Sequence, residues 1–173
     1  IMPHIDRWVV RHALRLAARV CAGGEVHLAI NLSGLSIIDP LMPEYIRLEI
    51  LSNNIDPRAI CFEITETSAI SYLSQGVEFM RQVQAMGCQF ALDDFGSGMS
   101  SFSYLKTLPV QCLKIDGAFV RDMLNDPLDR TLVESIQHIG KVMGMKTIAE
   151  YATSMAHVDA LEAIGVDFVQ GYA

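Results

Sequence analysis

Six short apolar runs, each separated from the next by a stretch with helical periodicity, restrict this chain more than any other feature. The runs "VHLAINLS" (26–33), "AICFEITE" (59–66), "CQFALDD" (88–94), "QCLKID" (111–116), "KTIAE" (146–150) and "DFVQGY" (167–172) read as strands. Helices are expected over 5–21, 43–53, 75–86, 100–107, 128–143 and 154–163, with Gly87 ending the third and Pro127 opening the fifth. Strands that are continuously apolar, rather than alternating, are buried on both faces, as in parallel α/β sheets. The repeat is a strand–helix unit and not a sequence repeat, and nothing marks a linker, so one domain is expected over 1–173.

The polar residues fall in a pattern. Asn31, Glu63, Glu66, Asp93, Asp94, Lys114, Asp116, Glu150 and Gln170 all lie at or near the C-terminal ends of predicted strands. In a parallel barrel those ends converge on one face, which is where TIM-type barrels keep their chemistry. An open doubly wound sheet would gather them only at a switch point. The barrel is therefore the expected fold. It needs eight strands, so the missing ones are expected before Ile1 or after Ala173, in a longer parent protein.

That rim holds six carboxylates against one lysine, Lys114. So much like charge in a partly buried place is unfavourable unless protons or cations neutralise it. The donors are all oxygen, with no His or Cys among them, which suits Mg²⁺ or Mn²⁺ and not zinc. Two cations about 3.5–4 Å apart would accommodate the adjacent Asp93 and Asp94, with one carboxylate bridging. Gly96 and Gly98 then let the chain turn beside the site. Plainer readings stand next to these. Asp116, ahead of Gly117, is equally a helix N-cap; Glu66 could hold a loop, Asn31 a turn, and Gln170 backbone groups. Lys114 is expected to point inward, towards the acids.

Composition removes other classes. A net charge of -7 argues against a nucleic-acid polymer as partner. No apolar run reaches the ~20 residues of a membrane span. Cys21, Cys61, Cys88 and Cys112 form no CxxC pair and read as buried free thiols of a reducing cytoplasm, membrane attachment being left to other domains of the parent. Arg7, Arg11, Arg15 and Arg19 form a basic stripe on the first helix, whose apolar residues are Trp8, Val9, Leu14, Leu16 and Val20. The stripe reads as a solvated face, with a membrane or acidic partner as the alternative.

The motifs "NLS", "EITE", "DDFGSGMSS", "LKID", "IAE" and "QGY", in this order, resemble the EAL domain family of bacterial cyclic di-GMP phosphodiesterases, from "IDRWVV" near the start to "QGY" at the end. The resemblance implies a modified TIM barrel, two Mg²⁺ or Mn²⁺ ions, and hydrolysis of cyclic di-GMP to linear pGpG. It implies Asn31, Glu63 and Asp93 as ligands of the first metal, with Asp93 shared with a second. Asp94 joins the metal-and-water cluster, and Glu150 is a second acidic ligand or the base near the attacking water. Lys114 orients that water, Glu66 fixes the loop after "DDFG", and Asp116 and Gln170 support or contact substrate. The family also implies fusion to GGDEF or sensory domains, and a homodimer involving the segment after "DDFG". Departures are visible. The Glu-Ala-Leu segment itself is not in this chain, "AEGVET" reads "AEYATS" so that Thr153 replaces an acid, and Ser97 and Met99 replace Thr and Tyr. These departures keep a second reading open: a catalytically silent receptor or interaction module of the same fold. An aldolase using Lys114 as a Schiff-base nucleophile fits poorly, because the surrounding acids would keep that lysine protonated.

Overall fold

A computed structural model describes residues 1–20, 27–98 and 102–173. Cys21 and Met99, singled out above, lie outside the described residues, as do the start of the first predicted strand and most of the segment after "DDFG". The elements in order are α1 (Met2–Val20), β1 (Leu28–Asn31), α2 (Gly34–Ile37), α3 (Met42–Ser52), β2 (Ile60–Thr65), α4 (Glu66–Ser71), α5 (Leu73–Gln84), β3 (Gln89–Phe95), β4 (Cys112–Ile115), α6 (Gly117–Asp122), α7 (Pro127–Met143), β5 (Lys146–Ala152), α8 (Met155–Ile164) and β6 (Phe168–Gly171). Single 3₁₀ turns stand at Pro57–Ala59 and Phe102–Lys106. The strands follow one another in the sheet in chain order, and β1–β2, β4–β5 and β5–β6 pair in parallel. Parallel strands in chain order with helical crossovers are what an incomplete (β/α)8 barrel requires, so the expected α/β class holds.

The described residues divide into two compact units, Ile1–Ala91 with Ser101–Pro109 and Leu92–Ser100 with Val110–Ala173. In the first, β2 buries Ile60, Phe62 and Ile64 on one face and Glu63 on the other. Phe90 of β3 stacks near Phe62 and meets Phe79 of α5 edge-on, with ring centroids 5.8 and 5.9 Å away. In the second unit, consecutive Leu113, Lys114 and Ile115 of β4 are all buried, as the double-sided burial of a central parallel strand demands. β6, last in the sheet order, is exposed throughout.

The face of α1 differs from expectation. Trp8, Leu16 and Val20 are exposed, and the buried residues are Asp6, Val10, Leu14 and Ala17. The arginine stripe is not simply solvated: Arg7 pairs with Asp39 at 2.7 Å, and Arg11 pairs with Glu49 of α3 at 2.8 Å. The buried Asp6 carboxylate accepts hydrogen bonds from the Ser33 N–H and from the Ser33 and Ser36 hydroxyls. It thereby fixes the turn that follows β1 and opens α2. Of the cysteines, Cys88 is buried, and burial pushes its thiol up to about 12; Cys61 and Cys112 are only half-buried. Among the described residues no helix is long and apolar enough to cross a membrane.

Candidate metal centre

The candidate centre is built in the second unit from the ends of three strands. β3 delivers Asp93 and Asp94, β4 delivers Lys114 and β5 delivers Glu150. Carboxylate oxygens of Asp93, Asp94 and Glu150 all lie within 4.8 Å of one another. Successive strand residues normally point to opposite faces. Asp94 escapes this alternation by taking φ 53°, in the left-handed region that Asp tolerates better than most side chains. The Ser97 hydroxyl donates to the Asp94 carbonyl at 2.9 Å and holds that turn. Of the two glycines expected to permit it, Gly96 is the one with positive φ, 102°. A Cβ on Gly96 would also come within 3.0 Å of Ile136 and Phe119 side-chain atoms, so the position excludes larger residues twice over.

Lys114 points inward as expected. It is 3% exposed, and its Nζ lies 2.9 Å from Asp93 Oδ1 and 2.7 Å from Glu150 Oε1. The Asp93 contact is an ion pair without hydrogen-bond alignment, so Asp93 Oδ1 is buried without a hydrogen-bond donor. Asp94 is exposed as a residue, but partial desolvation of its carboxyl, and then the charges of Asp93 and Asp116, push it above its ordinary value, with Lys114 pulling the other way. Burial likewise raises Glu150, against the pull of its Lys114 partner, and Asp93 and Asp94 add to the rise. One cation for three carboxylates is too little. An under-coordinated buried oxygen, a donor set of carboxylates alone and two acids resisting ionisation together fit a hard divalent cation.

Asp116 takes the plainer of its two readings. It is the N-cap of α6 and accepts from the Ala118 N–H at 2.8 Å, while its charge still acts on Asp94. Gln170 stands exposed on β6. Asn31, Glu63 and Glu66 belong to the other unit. There Asn31 is the register partner of Glu63 across β1 and β2, and the Leu32 N–H donates to the Glu63 carbonyl at 2.9 Å. Glu66 is no strand residue but the first residue of α4, 2% exposed, and accepts from the Tyr104 hydroxyl. Burial and then Glu66 raise the Tyr104 phenol, which keeps it a donor. Nothing in the sequence singles out Tyr104 as this partner, because the contact spans 38 positions.

Tyr151 was also missed. It follows Glu150 and takes φ 63°, where a bulky side chain is a genuine outlier costing about 1–2 kcal/mol. The family motif "AEGVET" carries glycine at that place, so the departure was visible in the sequence but its backbone consequence was not. Thr153, where that motif has an acid, is exposed just past β5.

The EAL domain family profile matches residues 1–173, the whole chain. The chain is 42% identical over its full length to cyclic di-GMP phosphodiesterase PdeB of Shewanella oneidensis, of which it covers 20%. It is 30% identical over 99% of its length to the bifunctional diguanylate cyclase/cyclic di-GMP phosphodiesterase MucR of Pseudomonas aeruginosa, covering 25% of that protein. Among solved structures, the PaMucR phosphodiesterase in complex with c-di-GMP superposes with a TM-score of 0.92 and 31% identity, over 98% of this chain and 69% of that one. The chain thus spans a fifth to a quarter of these two relatives' length. A profile matched from end to end, and a fold shared at that level, place the chain in the EAL domain family.

Proposed function

We propose that this domain hydrolyses cyclic di-GMP to linear pGpG with the help of two divalent cations, Mg²⁺ or Mn²⁺. The observation that carries the reading is the cluster of Asp93, Asp94 and Glu150 around an incompletely neutralised centre, with Lys114 buried against it. Asp93, Asp94 and Glu150 would hold the cations, and the family resemblance implies Asn31 and Glu63 as further ligands. Bound there, the cations would polarise a phosphodiester oxygen and make water more acidic. Lys114 bridges the Asp93 and Glu150 carboxylates and orients the attacking water. Glu150, with its affinity for a proton already raised by burial, is placed to accept the proton that water gives up. The water oxygen bonds to phosphorus, the bond from phosphorus to the 3′ oxygen breaks, and that oxygen takes up a proton. Glu66 anchors the turn at Phe102–Lys106 through Tyr104, Gln170 serves on the substrate side, and Asp116 supports the site as the N-cap of α6. Other domains of the parent protein supply the input, as the bifunctional description of the MucR relative suggests.

A second reading is favoured by one observation: Thr153 leaves the end of β5 one acid short of the family motif. On that reading the domain binds the nucleotide and signals without cleaving it. Product-resolved turnover by the full-length protein, with Mg²⁺ or Mn²⁺ and with chelator, separates the two. Metal-dependent pGpG that disappears in Glu150→Ala supports the enzyme. Tight binding with no product supports the receptor.

A further inference from the structure

Tyr151 has an unfavourable backbone and no core burial to offset it: φ is 63° and the residue is 52% exposed. Such conformations persist where the surroundings hold them, and they gather at ligand clamps. Tyr151 is held on two sides. The Arg121 guanidinium lies 5.0 Å from its ring centroid, within cation–π range. Gly117 presents bare backbone to it, and a Cβ there would fall 2.8 Å from the Tyr151 Cβ and 3.2 Å from two ring atoms. The neighbours in sequence are the groups of the candidate centre: Glu150 precedes Tyr151, and Asp116 precedes Gly117. A flat, half-exposed ring locked beside a phosphodiester-cleaving centre, with a guanidinium against it, has the chemistry that recognises a nucleobase. Aromatic faces stack bases, and arginine is a frequent partner of the guanine O6 and N7 edge.

We propose that Tyr151 and Arg121 form a ledge on which one guanine of cyclic di-GMP stacks, setting its phosphodiester against Asp93, Asp94 and Glu150. The ledge rests on the function proposed above and adds a specificity-determining pair to it. Tyr151 and Arg121 position substrate and take no part in bond making or breaking. The pair also explains why a strained tyrosine is kept where glycine would fit the backbone.

The test uses the full-length protein and the variants Tyr151→Phe, Tyr151→Gly and Arg121→Gln. KM and kcat are measured for cyclic di-GMP with Mn²⁺, and Kd is measured with Ca²⁺. Tyr151→Phe keeps the ring and should recover most of the affinity that Tyr151→Gly loses. Tyr151→Gly should raise KM or Kd about tenfold, the loss expected for one stacked base, with kcat held within about twofold. Arg121→Gln should narrow the preference for cyclic di-GMP over cyclic di-AMP. Glycine accepts the backbone angle, so the Tyr151→Gly melting temperature should not fall, and it serves as the folding control. An unchanged KM and Kd in Tyr151→Gly overturns the ledge, as does a loss confined to kcat, which would mean a structural effect on Glu150. Wild-type protein that neither cleaves nor binds cyclic di-GMP overturns the functional reading, and the ledge with it. Binding without turnover overturns only the enzymatic reading and leaves Kd to judge the ledge.

Discussion

Lys114 and Asp94 do opposite work at the candidate centre, and substitution separates them. Lys114→Met would leave Asp93 and Glu150 facing each other without their shared cation. Breaking a buried pair by removing one partner costs about 3–5 kcal/mol. Chemical denaturation in chelator should show that loss, and Mn²⁺ should recover part of it. Asp94→Asn should do the reverse. Its folded pKa is raised, so the folded state binds its proton more tightly than the unfolded state does. The favourable contribution is full below the unfolded pKa and is lost as pH rises through the folded one, leaving the charged form a burden at neutral pH. Asn keeps the left-handed backbone and drops the charge. The variant in chelator should melt above wild type at neutral pH, with the gap closing as pH falls towards the ordinary carboxylate value of about 4, and it should be inactive.

The elements that carry the centre are aligned by polar groups far from it. Thr147 near the start of β5 is wholly buried; its hydroxyl donates to the Gln137 amide oxygen, and its N–H donates to Asp167 at 2.9 Å. Gln137 in turn donates to the Gly165 carbonyl, tying α7 to the turn before β6. Burial of Asp167 is outweighed by Lys146 and the Thr147 donors, so its carboxyl lies below its ordinary value. Its stabilising effect is present above the unfolded pKa and is lost as pH falls through the folded one. Thermal scans from neutral pH down to about 3 should therefore show wild type converging on Asp167→Asn in the acid limb. Strand edges were legible to within two residues, because Gly, Pro and Asp punctuate them in the chain. The buried face of α1 was not. Its burial of Asp6 instead of Trp8 follows from serines 27 and 30 positions away, and hydrophobic periodicity carries no trace of those contacts.

On the scale of the whole molecule, cation binding and folding are linked. A ligand that binds only the folded state stabilises it by RT ln(1 + [L]/Kd), or about 2.7 kcal/mol at a hundredfold excess over Kd. Mn²⁺ should raise the melting temperature of the full-length protein in proportion to the logarithm of its concentration, and Asp93→Asn should abolish the rise. The acidic surplus behind this was plain in the sequence, since carboxylates at strand ends can be counted there. What it withheld were the Tyr104 donor to Glu66, which joins separate elements, and the left-handed turns at Asp94 and Tyr151. The close approach of Gly117 to Tyr151 makes the two positions interdependent. With 2.8 Å between a would-be Cβ and the Tyr151 Cβ, no side chain at 117 coexists with this tyrosine. The two positions are coupled, because a side chain at 117 and an aromatic residue at 151 compete for one space. A double-mutant cycle would read that coupling directly: Gly117→Ser should be damaging alone and close to silent once Tyr151→Gly is in place.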